Sequence, residues 1–301
     1  MIHILFGNYL KNAGKLTAEQ LSHIYEEQKK VRVKLGLIAV SEKMMSLEQA
    51  DEVNKLQSTL DKRFGDIAVE RGYLTDEQVG RLLGKQGNLY LSFVQEITNE
   101  NLMSLEEVEE EFTKFQKELN FTQSDMDLLK SGDADLMIPL FLPLEIDELQ
   151  KNHILVCVKT LMRLIDNDLY IDKAYAASSI ETVNYALQEL KGDASAALAF
   201  AGDADALLPI ACKFGEEDFQ KVDLDALDAC AELINCINGM FASDSAPKFD
   251  IDMLPPVYAE GRTELSAGKI DGLCILPVYV KGNRVNVVSA FRDKIIAKGV
   301  N

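Results

Sequence analysis

Asp228, Glu232 and Asn235 stand four and three residues apart in a stretch that reads as a helix, and Pro255 follows twenty residues after the asparagine. At about 100° of turn per residue, Leu227, Cys230, Ile234, Ile237 and Phe241 share one stripe, and Asp228, Glu232, Asn235 and Gly239 fall roughly opposite. A carboxylate thus sits beside a carboxamide on the outer face of a helix with a buried back. A carboxylate can meet a cation, and an amide, donor and acceptor at once, can orient a water molecule. The pair is suited to docking on another molecule's active site. The same three residues are equally compatible with an ordinary solvated helix face.

Several elements must hold that helix. From about Leu144 to Asn167 the spacing of Ile154, Val158, Leu161 and Ile165 predicts a first long helix. Residues 194–202 predict a strand. Before them Val183, Tyr185 and Leu187 alternate as in a strand, although Ser178 with Glu181 would equally cap a helix through Leu190. Residues 204–214 read as a short helix bent at Pro209. After the motif helix, Phe249, Ile251 and Met253 alternate, and 278–288 read as a hairpin turning at Gly282-Asn283. Helix, two strands, helix and at least three strands is an α+β order with an antiparallel sheet and two long helices.

The first third of the chain is a tandem repeat. Phe6, Leu35, Phe64 and Phe93 lie 29 residues apart, as do Thr17, Ser46, Thr75 and Ser104. Each of these hydroxyls is followed three residues on by Gln20, Gln49, Gln78 or Glu107, the pattern of a capping box. The helices so started are expected to end near Gln28, Gln57, Gln86 and Gln116. Each unit is a helix, a turn and a longer helix that cannot hide its apolar face alone. The organisation expected is a helical repeat domain over 1–120, a packed connector over 121–149 and an α+β domain over 150–301.

Asp228, Glu232, Asn235 and Pro255 resemble the signature of the CheC/CheX/FliY chemotaxis phosphatases: Asp or Ser, three residues, Glu, two residues, Asn, and a later Pro. The element order resembles the CheX fold. What the resemblance implies is a phosphatase for a phospho-aspartyl, CheY-like receiver domain. Asn235 would position the attacking water, Glu232 would contact the receiver's lysine, and Asp228 would support the interface. The chain would bring no cofactor or metal of its own, Mg²⁺ being held by the receiver, and the domain would form a homodimer. A non-catalytic dimerising adaptor of the same fold is the alternative.

The repeat unit, beginning PheGlyAsnTyrLeuLysAsnAlaGly at Phe6, resembles the MshE N-terminal domain, some members of which bind cyclic di-GMP. Where that family places a basic residue before the Gly pair, this chain has Leu5, Lys34, Arg63 and Ser92. The resemblance makes Arg63 with Phe64 and Gly65, and then Lys34, the candidates for holding the nucleotide. A helical scaffold without a ligand explains the same pattern; a cyclic di-GMP sensor acting through these repeats is the other alternative to the phosphatase.

A net charge of −18 argues against nucleic acid and anionic membranes as partners. The start of the chain lacks a basic region and long apolar stretch, so a cytoplasmic location is expected. Cys157, Cys212, Cys230, Cys236 and Cys274 sit among apolar neighbours without a CxxC pair and are expected as reduced core thiols. His3, His23 and His153 are isolated, which speaks against zinc or a histidine dyad. No GxGxxG, Walker loop, GxSxG or HExxH supports a self-contained nucleotide enzyme or hydrolase.

Overall fold

Four hydroxyls start four helices. In the computed structural model, which describes residues 1–60, 62–203, 205–245, 249–268 and 272–300, Thr17, Ser46, Thr75 and Ser104 each close a reciprocal capping box. Gln20 N–H donates to Thr17 Oγ1 at 3.2 Å, and Thr17 N–H donates to Gln20 Oε1 at 2.8 Å. The resulting pairs are α1 (Ile2–Asn12) with α2 (Ala18–Glu27), α3 (Leu35–Ser41) with α4 (Leu47–Gln57), α5 (Phe64–Glu70) with α6 (Asp76–Leu83), and α7 (Leu89–Asn99) with α8 (Leu105–Leu119). The helix of the third unit stops at Leu83, short of Gln86, and that of the fourth runs past Gln116 until Asn120 turns left-handed at φ 54°.

The turn inside each unit is the same device built from different residues. Gly14, Lys43, Gly72 and Asn101 all have positive φ, from 53° to 73°. The residue after each donates its N–H five positions back, as Lys15 does to Leu10 and Met44 to Ala39. This is the helix-ending geometry that glycine adopts without steric cost. At Lys43 a Cβ is carried in that conformation at φ 57°, a strain of about 1–2 kcal/mol. Lys43→Gly is therefore expected to stabilise the second unit by about 1 kcal/mol after the entropy of an unfolded glycine is counted. Native-state hydrogen exchange should show its α3 and α4 amides slowed roughly fivefold; faster exchange would contradict the assignment.

Residues Ile2–Gly132 cluster as one unit and Asp133–Asn301 as another, the division falling within the segment read as a connector. That segment is helical: α9 (Gln123–Ser131) starts from a capping box of Thr122 with Asp125, and α10 (Ala134–Met137) leads into a 3₁₀ turn at Ile138–Phe141.

The second unit has the expected α+β fold. Helix α11 (Glu148–Leu164) is followed by β1 (Tyr170–Ile171), β2 (Tyr175–Ala177), β3 (Ser179–Gly192) and β4 (Ala196–Gly202). Then come α12 (Leu208–Gly215), α13 (Leu224–Ser245) and five strands: β5 (Ile251–Met253), β6 (Val257–Ala267), β7 (Leu273–Val280), β8 (Asn283–Phe291) and β9 (Ile295–Gly299). Among the described residues these form a nine-stranded sheet in the order β1-β7-β8-β4-β3-β6-β9, with β2 also on β7 and β5 also on β3. Every strand pairing is antiparallel.

One open reading is decided and two local readings change. The stretch through Leu190 is a strand, not a capped helix, because both of its faces are covered: Tyr185 and Leu187 on one side, Ala186, Gln188 and Leu190 on the other. Pro209 lies in the first turn of α12, where its missing N–H costs nothing, so it starts the helix rather than bending it. The β7–β8 turn is Lys281-Gly282, both at positive φ, with Asn283 already paired to Val280, one residue earlier than the sequence suggests.

Helices α11 and α13 lie on the sheet face that carries Leu190 and Ala196, where Phe241 is fully buried with Val156, Ile251 and Phe291 around it. The opposite face buries Tyr185, Leu187, Ala199, Ile275 and Val288 in a second cluster. Among the described residues, no helix is long and apolar enough to cross a membrane.

Candidate functional site

The motif helix α13 begins where the Asp223 carboxylate accepts the Ala226 N–H at 3.2 Å. Its expected stripe holds, since Leu227, Cys230, Ile234, Ile237 and Phe241 are all fully buried. The polar face is turned outward, with Asp228 and Glu232 exposed and Asn235 half-buried. Residues three apart on a helix have neighbouring side chains, so the Glu232 carboxylate and the Asn235 carboxamide share one surface.

Each member of the trio has a distinct environment. Asp228 accepts a hydrogen bond from the hydroxyl of Tyr258 on β6, which raises the Tyr258 pKa, with partial burial and the negative charge of Asp228 acting in the same direction. Asn235 is held from below: Gln188 Nε2, on β3, donates to Asn235 Oδ1 at 2.7 Å and also to the Leu254 carbonyl at 2.8 Å. Gln188 Oε1 in turn accepts from Asn238 Nδ2 at 2.8 Å, and Asn238 Oδ1 lies 2.7 Å from His153 Nε2 on α11.

Pro255 is exposed at the start of the turn into β6. A residue before proline is confined to extended backbone. Leu254 is such a residue, and its N–H donates to Glu189 O at 3.0 Å while its carbonyl receives Gln188. The proline and the asparagine of the motif therefore meet through one glutamine.

Gln188, Asn238 and His153 were not singled out from sequence as site residues. They are 0–1 % exposed. A signal for one of them existed, because Asn238 falls among Ile234, Ile237 and Phe241 on the apolar stripe, where a polar side chain must find a buried partner. His153 stacks on Phe241 at 4.4 Å between ring centroids. Burial lowers its pKa to about 4, opposed only in part by the bond to Asn238, and its Nδ1 has no hydrogen-bond partner.

A groove of about 660 Å³ runs beside α11 and α13, with Asn152, Lys159 and Arg163 on one side and Met240, Ser243 and Asp244 on the other. It does not include Asp228, Glu232 or Asn235, which stand on open surface. Among the cysteines, Cys157, Cys230 and Cys274 are buried as expected and Cys212 is half-buried, but Cys236 is exposed, one residue beyond Asn235 and outside the apolar stripe.

In the repeats, Arg63 is the exposed N-cap residue of α5. Phe64 is buried, its ring 3.0 Å from where a Cβ on Gly36 would stand, and a Cβ on Gly65 would lie 2.8 Å from Val79. Phe64 and Gly65 thus serve the packing between helices. Lys34 N–H donates to Gln95 Oε1 at 2.7 Å, and its Nζ lies 3.5 Å from Asn99 Oδ1.

Fold and site together define an α+β domain in which one long helix, seated on an antiparallel sheet, presents a carboxylate and an internally braced carboxamide to solvent. Residues 184–275 match the family model described as chemotaxis phosphatase CheX. Among solved structures, a chemotaxis protein CheX from Desulfovibrio desulfuricans is similar at 14 % identity, over 48 % of this chain and 100 % of that one, with a TM-score of 0.43. A chain of a CheX–CheY–BeF₃–Mg²⁺ complex from Borrelia burgdorferi is similar at 17 % identity, over 50 % of this chain and 98 % of that one, with a TM-score of 0.40. A CheC-like superfamily protein from Shewanella sp. PV-4 is similar at 19 % identity, over 49 % and 99 %, with a TM-score of 0.41. Comparison with curated proteins gives no significant match.

Proposed function

We propose that the domain is a phosphatase acting on a phospho-aspartyl receiver domain in chemotaxis or a related two-component pathway. The observation that carries this reading is the pairing of an exposed Glu232 with an Asn235 whose carboxamide is fixed by Gln188. The match to the chemotaxis phosphatase family over 184–275 supports it.

An acyl phosphate needs no covalent partner to hydrolyse. Water attacks phosphorus in line, the P–O bond to the receiver aspartate breaks, the aspartate leaves as carboxylate, and the water proton passes to phosphate or solvent. Catalysis is then largely a matter of placing the water. In this reading Asn235 enters the receiver's site and orients the water, Glu232 meets the receiver's lysine, and Mg²⁺ arrives with the receiver as part of the substrate. Asp228, engaged with Tyr258, holds the helix rather than the phosphate. Homodimerisation through a sheet edge belongs to the same proposal; the outermost strand β9 carries the exposed Ile296.

The test follows the loss of phosphate from a panel of phosphorylated receivers with Mg²⁺ and the full-length protein. Wild type is expected to accelerate it on at least one receiver, and Asn235→Ala to lose at least tenfold of that acceleration with its fold intact, because an outward-facing side chain leaves no core cavity. Glu232→Ala should in addition raise the protein concentration needed. A wild type that accelerates none, or an Asn235→Ala equal to wild type on every receiver, would overturn the phosphatase and leave a non-catalytic adaptor.

A further inference from the structure

The amides under the site can be oriented from one fixed point. The Leu254 carbonyl can only accept, so the Gln188 atom 2.8 Å from it must be the amino end, Nε2. That same nitrogen lies 2.7 Å from the Asn235 side chain, which must therefore turn its oxygen inward. Gln188 is left with an oxygen to offer, so Asn238 faces it with Nδ2 at 2.8 Å, and Asn238 Oδ1 then requires a hydrogen on His153 Nε2, 2.7 Å away. One backbone oxygen sets the polarity of three carboxamides and the tautomer of one imidazole.

With Nε2 protonated, His153 Nδ1 is a bare acceptor in the core, and it has no partner. An orphaned buried acceptor is a cost that an apolar ring of similar size would avoid. Packing against Phe241 alone does not call for histidine at this position; holding Asn238 does. At the other end of the relay, Asn235 Oδ1 faces Gln188, which leaves the Nδ2 hydrogens uncommitted to that glutamine on a helix face where Glu232 is exposed.

We infer that Gln188 is the positioning residue of the Asn235 carboxamide, itself held by the Leu254 carbonyl and by Asn238 and His153, so that Asn235 meets an incoming receiver with its Nδ2 hydrogens foremost. The inference rests on the reading of Asn235 as the group that orients the attacking water. A water accepting a hydrogen bond from Nδ2 keeps its second lone pair for phosphorus. Pro255 belongs to the same device, because it confines the backbone of Leu254, whose oxygen sets the polarity.

Two variants of Gln188 and one of the turn test this in the full-length protein. Gln188→Met keeps the volume and removes both polar ends. Gln188→Glu keeps the shape but sets only acceptors against the Leu254 carbonyl and Asn235 Oδ1, so that Asn235 is favoured to turn its amino group inward. Both are expected to lower kcat for dephosphorylation at least tenfold while the affinity for a receiver activated with beryllofluoride stays within twofold of wild type. Destabilisation alone would not separate the two quantities. Pro255→Ala, at an exposed position, is the milder variant should the buried changes prevent folding, and a loss of a few-fold in kcat is expected of it.

A second reading is independent of catalysis. The side-chain amide resonances of Asn235, assigned by their disappearance in Asn235→Ala, should report a rigid carboxamide in wild type and a mobile one in Gln188→Met. A wild type that dephosphorylates no receiver removes the proposed function and leaves the amide resonances to decide the positioning. Full kcat in both Gln188 variants, or an Asn235 amide equally ordered in wild type and Gln188→Met, overturns the inference while the phosphatase reading stands.

Discussion

Gly192→Ala is expected to cost roughly 3–5 kcal/mol, the largest effect of any single methyl group added near the site. Gly192 ends β3 at φ +109°, a conformation that L residues rarely adopt, and an added Cβ would stand 2.1 Å from the backbone oxygen of Asp250. The neighbouring atom is main chain and cannot rotate away. That oxygen accepts the Asp193 N–H at 2.9 Å, and Asp250 N–H returns a bond to Asp193 Oδ2 at 3.1 Å, so the contact is the hinge on which β5 is laid against β3. Beyond it the register continues through Lys191 with Asp252 and Leu190 with Met253 to Leu254, the residue that anchors Gln188. The chain can limit the damage by letting β5 detach, so the measured loss will not exceed the free energy of that local opening. Hydrogen exchange distinguishes the two routes: detachment should expose the Leu254 amide while the amides of β4 and β8 stay protected. A change in stability below 1 kcal/mol would mean that the backbone at Gly192 is not constrained as described.

How much of this was legible in the sequence depends on whether the determining contact is local. The capping boxes at Thr17, Ser46, Thr75 and Ser104 are closed within four residues, and all four form. The outer face of α13 follows from helical geometry alone, and Asp228, Glu232 and Asn235 lie on it. The left-handed turn at Lys43 was hidden because its residue type contradicts its conformation; only its alignment with Gly14 and Gly72 reveals it. The strand character of 179–192 was ambiguous because Ser178 with Glu181 allowed a capped helix as readily as the alternation allowed a strand, and pairing with β4 and β6, far apart in sequence, decides for the strand.

The bracing of Asn235 was the least legible part. Gln188 and Asn238 are 50 residues apart, and Asn238 and His153 are 85 apart. Nothing in the spacing of one element specifies the partner on another. What a sequence can show is the debt: a polar residue on an apolar stripe must be matched by something buried. Asn238 on α13 carries that signal, and the tertiary fold supplies the answer in Gln188 and His153.

The pH dependence of stability should show His153 most clearly. Burial holds its pKa at about 4, below its ordinary value of 6.5. Between those values the unfolded chain binds a proton that the folded domain refuses, so stability rises with pH across this window. The contribution is fully present above pH 6.5 and is lost as pH falls to 4, a total of about 3 kcal/mol for a shift of this size. Other groups titrate over the same range, and His153→Gln separates them, since glutamine can still donate to Asn238 Oδ1 but binds no proton. Measured by urea unfolding, wild type is expected to lose about 3 kcal/mol relative to His153→Gln between pH 7 and pH 4. Ring carbon resonances of His153 should show a midpoint below 5, and a midpoint near 6.5 would contradict its burial. Protonation would also place a hydrogen on Nδ1, where there is no acceptor, and oblige the ring to leave its place under Asn238. Acid should therefore loosen the carboxamide of Asn235 before the domain unfolds, because the relay from His153 to Asn235 gives way at its one titratable member.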